Sequence, residues 1–213
     1  MNNFEIKDFD TLIFDFDGTL LDSEPYHKLA HSKVLSYILG KEINLTDKDF
    51  ERYIGKKDTE IFEMYKKDFN VDFDSEKMID KKVEMARDLL LEDEVKIFDY
   101  FFNLISQKGN RKFYIVSNQH EKILYSVLKQ KNIMQYFDDV FCLSKMNVKK
   151  DLFYRSIEKY INNPQKIAVF EDDSKVLRFL KELNYVTVGV ENQMNCGKLI
   201  GCDYLISTKN TDL

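Results

Sequence analysis

The 213-residue chain has no tryptophan and only three cysteines, and it lacks a glycine-rich linker, a basic stripe and any long apolar run. Each absence narrows what it can be. Cys142, Cys196 and Cys202 are odd in number and fit no paired metal-ligand spacing, so they are expected to be reduced thiols in a cytoplasmic protein. No stretch approaches the roughly 18 apolar residues of a membrane span. The start, MNNFEIKDFD, carries acids where a secretory leader would have a basic segment and an apolar core. Neither membrane insertion nor export is expected. With a net charge of -5 and interspersed signs, nucleic acid is excluded as a main partner, and an anionic small substrate would need locally placed cations.

What is present is ordinary for a globular protein large enough to bury a sizeable core: 44% hydrophobic residues, with the aromatic bulk supplied by Phe and Tyr. Thr11 to Phe14 is an almost wholly apolar run, as expected of a strand buried on both faces of a parallel sheet. Helical periodicity follows. Tyr26 to Leu39 stops at Gly40, Thr46 and Asp58 stand as caps ahead of two further helices, and Asp74 or Ser75 opens a longer one with Met78, Val83, Ala86 and Leu90 on one face. Asp22 is expected to cap the first of these helices. From about Phe98 onward, helical stripes alternate with strands at Lys112–Ser117, Val140–Leu143, Lys166–Phe170, Tyr185–Val190 and Asp203–Ile206; Leu152 to Ile161 is one such stripe. That alternation predicts an α/β core, residues 1–22 and 92–213, interrupted after its first strand by an all-helical insert at 23–91.

In a parallel sheet the residues just beyond each strand meet at one edge. Asp15 and Asp17 follow the first strand, and their like charges would raise at least one pKa unless a cation sat between them. Gly18 turns the chain and Thr19 adds a hydroxyl. Ser117 and Asn118 follow the second strand, Lys149 and Lys150 precede a helix, and Glu171, Asp172 and Asp173 follow the fourth strand. This set describes an anion bound beside a hard cation.

The stretch DFDGTLLDS, Asp15 to Ser23, resembles the first motif of the haloacid dehalogenase superfamily of phosphotransferases. The likeness extends along the chain, with a helical cap placed as in the subgroup similar to β-phosphoglucomutase. It implies a Rossmann-like parallel sheet core and a Mg²⁺-dependent phosphatase acting on a small phosphorylated metabolite, as a monomer or weak homodimer. By the same resemblance Asp15 is the nucleophile and Asp17 the general acid and then base. Ser117 and the amide of Asn118 hold phosphoryl oxygens, and a lysine neutralises charge. Asp172 completes a metal site with Asp15 and the backbone carbonyl of Asp17, and Glu171 orients the metal's water. Two stretches depart from the family pattern. Asn147 to Asp151 lacks the prolines of Lys-Pro-x-Pro-Asp, so the lysine is Lys149, with Lys150 and then Lys145 as alternatives. FEDDS offers Asp173 beside Asp172.

Other residues carry weaker readings. Gly55, Lys56 and Lys57 form a turn in the insert where the related subgroup selects the leaving group; two solvated lysines explain them equally well. His27 and His31 are i and i+4, a spacing that suits a metal only with further ligands. His120 stands at a helix start. A mutase using the same core residues, and a non-catalytic binding or regulatory protein on the same scaffold, are the alternative functions.

Overall fold

The computed structural model describes residues 4–53, 56–92, 95–158, 160 and 163–208. Its elements are β1 (Thr11–Phe14), α1 (Glu24–Leu39), α2 (Asp47–Glu51), α3 (Asp58–Phe69), α4 (Ser75–Glu92), α5 (Asp99–Ser106), β2 (Lys112–Ser117), α6 (Glu121–Gln130), β3 (Asp139–Cys142), α7 (Leu143–Met146), α8 (Lys150–Glu158), β4 (Ile167–Glu171), α9 (Ser174–Glu182), β5 (Val186–Glu191) and β6 (Tyr204–Ser207). The six strands form one parallel sheet in the order β3-β2-β1-β4-β5-β6. Gly55 and Ile161, named above, lie outside the described residues. Among the described residues no helix is long and apolar enough to cross a membrane.

The chain divides into two compact units, residues 1–22 with 96–213, and residues 23–95. The second crossing therefore falls beyond Glu92, the last residue of α4.

β1 is apolar beyond Thr11 because both its faces are covered. Alternate side chains point to opposite faces. Phe14 stacks on Phe170 with ring centroids 4.6 Å apart and meets Phe101 and Phe113 edge-on, each at 5.4 Å. Ile13 points the other way, into a cluster with Val116, Leu143, Phe153, Val169 and Leu180. Each fully buried Phe contributes on the order of 2–3 kcal/mol, so phenylalanine supplies the bulk that tryptophan does not.

In the helical unit α1 and α3 each pack against α4. Gly40 ends α1 in the left-handed region at φ 63°, Thr46 and Asp49 form a reciprocal capping box on α2, and the Asp74 carboxylate accepts the Lys77 N–H at 3.1 Å ahead of α4. Two expected caps are not caps. Ser23, not Asp22, holds the N-cap position of α1, and the Asp22 N–H donates to the Lys96 carbonyl at 3.0 Å. Lys57 holds that position on α3, so Asp58 is the first helical residue and its carboxylate turns inward.

There Asp58 accepts from Lys82 Nζ at 2.9 and 3.1 Å, and its Oδ1 lies 3.6 Å from His31 Nε2. The Tyr65 hydroxyl lies 3.0 Å from His31 Nδ1. His31 thus belongs to a buried polar network, and its Nδ1 is already engaged. Burial pushes the imidazole pKa down from 6.5 to about 4, with the Lys82 charge acting the same way and Asp58 opposing. Between those values the unfolded chain binds a proton that the folded one refuses, so stability falls as pH drops from 6.5 toward 4, by about 3 kcal/mol in full. The urea midpoint of His31→Gln is accordingly expected to vary less over this window than that of the parent protein. Parallel curves would contradict the assignment.

Candidate active site

β1 lies between β2 and β4, and the chain winds outward from β1 through β2 to β3 and from β4 through β5 to β6. The direction of winding reverses between β1 and β4, and such a reversal opens a crevice at the carboxyl ends of the strands. Asp15 stands at that point, with its N–H donating to the Phe170 carbonyl at 3.0 Å. Glu171 ends β4 and Ser117 ends β2.

The lysine that reaches this edge is Lys150. Its Nζ lies 3.1 Å from Asp15 Oδ1 and 2.8 Å from Glu171 Oε1. The preference for Lys149 is therefore corrected: Lys149 is exposed, and its carbonyl accepts the Phe153 N–H at the start of α8. Lys145, the third choice, pairs with Glu121. Burial disfavours the Lys150 charge, but the Asp15 and Glu171 carboxylates outweigh it and raise the ammonium pKa. Glu171 is 2% exposed, and its pKa is raised by burial and then by Asp15, against the pull of Lys150.

Asp15, Glu171 and Asp172 each present a carboxylate oxygen to a common point, all within 4.8 Å of one another. Among the described residues these three acidic groups outnumber the ammonium of Lys150, which faces Asp15 and Glu171. An all-oxygen, acidic donor set fits a hard divalent cation such as Mg²⁺. Asp173 takes a different part: its carboxylate accepts the Lys175 N–H at 2.7 Å and caps α9. The Asp17 Oδ2 accepts from Gln119 Nε2 at 2.8 Å.

Asp172 is held from behind by the loop after β5. Asn192 Nδ2 donates to Asp172 Oδ2 at 3.0 Å and to the Gly18 carbonyl at 2.9 Å, while Asn195 Nδ2 donates to the Asp172 carbonyl at 3.1 Å. The approach requires glycine at position 18. Its φ is +66°, and a Cβ there would lie 2.2 Å from Asp172 Oδ2.

Ser117 is buried, and its Oγ accepts the Gln119 N–H at 3.0 Å; Asn118 is exposed. Thr19, expected to offer a hydroxyl to a ligand, is fully buried, and its carbonyl accepts from Tyr100 Oη at 2.6 Å. Burial raises the Tyr100 pKa, with Asp172 and Asp15 adding to the effect. His120 caps α6, its Nδ1 accepting the Lys122 N–H at 3.3 Å. Lys56 and Lys57 are exposed on the helical unit. Gln119, Asn192, Asn195 and Tyr100 escaped the sequence reading. The rule that finds Asp15 and Glu171, inspection of the residues just past each strand, points to Asn192 when it is applied to β5.

The family model of haloacid dehalogenase-like hydrolases matches residues 12–190. Fructose-1-phosphate phosphatase YqaB of Escherichia coli K12 is 28% identical over 167 residues, 76% of this chain and 85% of that protein. Among solved structures, CbbY from Rhodobacter sphaeroides in complex with phosphate matches with a TM-score of 0.76 at 15% identity, over 93% of each chain. A putative β-phosphoglucomutase from Thermotoga maritima matches with a TM-score of 0.73 at 20% identity, over 94% of this chain and 95% of that one. At these identities the two solved structures speak to the fold alone.

Proposed function

The chain belongs to the haloacid dehalogenase-like hydrolase family, and from that premise we propose that it hydrolyses a small phosphorylated metabolite, with Mg²⁺, through an aspartyl-phosphate on Asp15. The observation that carries this reading is the convergence of Asp15, Glu171 and Asp172 around Lys150 at the winding reversal of the sheet.

In the first step an oxygen of Asp15 attacks phosphorus as the ester P–O bond breaks, and Asp17 gives its proton to the departing oxygen. In the second, water attacks the aspartyl-phosphate in line, Asp17 takes the proton, and phosphate leaves with the Asp15 carboxylate restored. The Ser117 Oγ already accepts from Gln119, which leaves its own O–H to donate to a phosphoryl oxygen, beside the N–H of Asn118. Lys150 sets a fixed positive charge against the negative charge that spreads over the oxygens in transit. Asp15, Asp172 and the Asp17 carbonyl would hold Mg²⁺, with Glu171 beside them, and the bound ion supplies charge neutralisation and orientation of the phosphoryl group.

The activity of the YqaB relative makes sugar phosphates the first compounds to try. A panel of phosphate esters that includes fructose 1-phosphate and 4-nitrophenyl phosphate, assayed with Mg²⁺ and with EDTA, tests the reading. Metal-dependent release of phosphate from at least one ester is expected. No turnover of any ester by demonstrably folded protein would overturn it.

A further inference from the structure

We propose that Gln119 is a positioning residue that fixes the orientation of the Asp17 carboxyl for proton transfer; the inference rests on the acid/base reading of Asp17 given above. The backbone of Gln119 is held at both its polar groups. Its N–H donates to Ser117 Oγ at 3.0 Å, and its carbonyl accepts from Ser144 Oγ at 2.8 Å and from Cys142 Sγ at 3.4 Å. These partners lie at the ends of β2 and β3 and in α7, so the residue is anchored to the sheet edge itself.

The side-chain amide is oriented as well. Gln119 Oε1 accepts the His120 N–H at 2.8 Å, and Nε2 donates to Asp17 Oδ2 at 2.8 Å. Reversing the amide would set its NH₂ against a backbone N–H and its oxygen against a carboxylate, so the neighbours impose a single orientation. The contact with Nε2 restrains the Asp17 carboxyl from turning about its Cβ–Cγ bond.

The proton moves as the ester bond breaks, from Asp17 to the leaving oxygen, and returns to Asp17 from water in the second step. A proton donor acts only when held within hydrogen-bond reach of its acceptor, and small displacements of catalytic groups are costly. Gln119 itself exchanges no proton.

The test compares phenyl phosphate with 4-nitrophenyl phosphate, esters of similar size that differ in how much the departing oxygen needs a proton. The value of kcat/KM, which reports the steps up to formation of the aspartyl-phosphate, is measured with Mg²⁺ for the parent enzyme, Asp17→Asn, Gln119→Leu and Gln119→Met. Both Gln119 variants are expected to lose about tenfold more on phenyl phosphate than on 4-nitrophenyl phosphate. Gln119→Met retains a flexible side chain of similar length and serves if Gln119→Leu fails to fold. Equal loss on the two esters marks a merely structural role and overturns the proposal, as does no loss. If Asp17→Asn itself shows no preference between the esters, the acid/base reading falls. If Asp17→Asn discriminates and the Gln119 variants do not, only the present inference falls.

Discussion

Asp15→Asn is expected to lower kcat for phosphate-ester hydrolysis by on the order of 10⁴-fold or more while leaving the protein folded. A carboxamide is a far weaker nucleophile than a carboxylate, and no neighbour replaces it. Glu171 is buried against Lys150, and Asp17 is held by Gln119. The fold tolerates the change because Asn occupies nearly the same volume, and because Lys150 keeps Glu171 as its partner when the Asp15 charge is removed. Activity loss matched by an equal loss of folded protein would point instead to a structural role for Asp15.

Lys150→Met carries the second large effect, on both stability and rate. Without the ammonium, Asp15 and Glu171 face each other uncompensated in a buried place, and removing one partner of such a group costs about 3–5 kcal/mol. That penalty is expected in EDTA, and added Mg²⁺ should recover part of it by restoring a cation to the carboxylates. The rate should fall by roughly 10²–10³-fold at saturating Mg²⁺, the scale for loss of one preorganised electrostatic contact in a transition state. Lys149→Met, which removes an exposed lysine one position away, is the matched control and should lose little in stability. If the Lys149 variant showed the larger loss of stability and rate, the assignment of Lys150 would be wrong.

The contrast between these two lysines shows where reading from sequence stops. Lys149 lies just before α8 and Lys150 is its first residue, and the first faces solvent while the second reaches the sheet edge. Without the family's prolines, nothing local says which. Asp172 and Asp173 pose the same problem at a turn, settled when Asp173 bonds the Lys175 N–H and Asp172 meets Asn192. By contrast, all six strands were legible: β1, β4 and β5, inside the sheet, are almost wholly apolar, and the edge strands β3 and β6 each still carry a short apolar run. Asp15, Ser117 and Glu171 were legible for a related reason, since they are the first polar residues after such runs.

The supporting residues were harder to read because their partners lie far away along the chain. Asn192 reaches the Gly18 carbonyl across 174 positions, and Gln119 reaches Asp17 across 102. No local pattern encodes such a bond. Asp58 misled for the opposite reason. Its position suits a helix cap, but Lys82 and His31, the latter bonded in turn to Tyr65, form a network inside the helical unit that takes the carboxylate inward. The short helix α7 was missed because Leu143, apolar and buried, reads equally well as the last residue of β3.

The measurement that bears most directly on the mechanism is chemical capture of the covalent intermediate. Enzyme turning over a good ester with Mg²⁺ is quenched and treated with borohydride, which reduces an aspartyl-phosphate to homoserine, and its peptides are then weighed. The expected result is homoserine at Asp15, dependent on substrate and Mg²⁺ and absent from Asp15→Asn. Full turnover with Asp15 unmodified under conditions that trap a reference acyl phosphate, or reduction at a different carboxylate, would contradict the account.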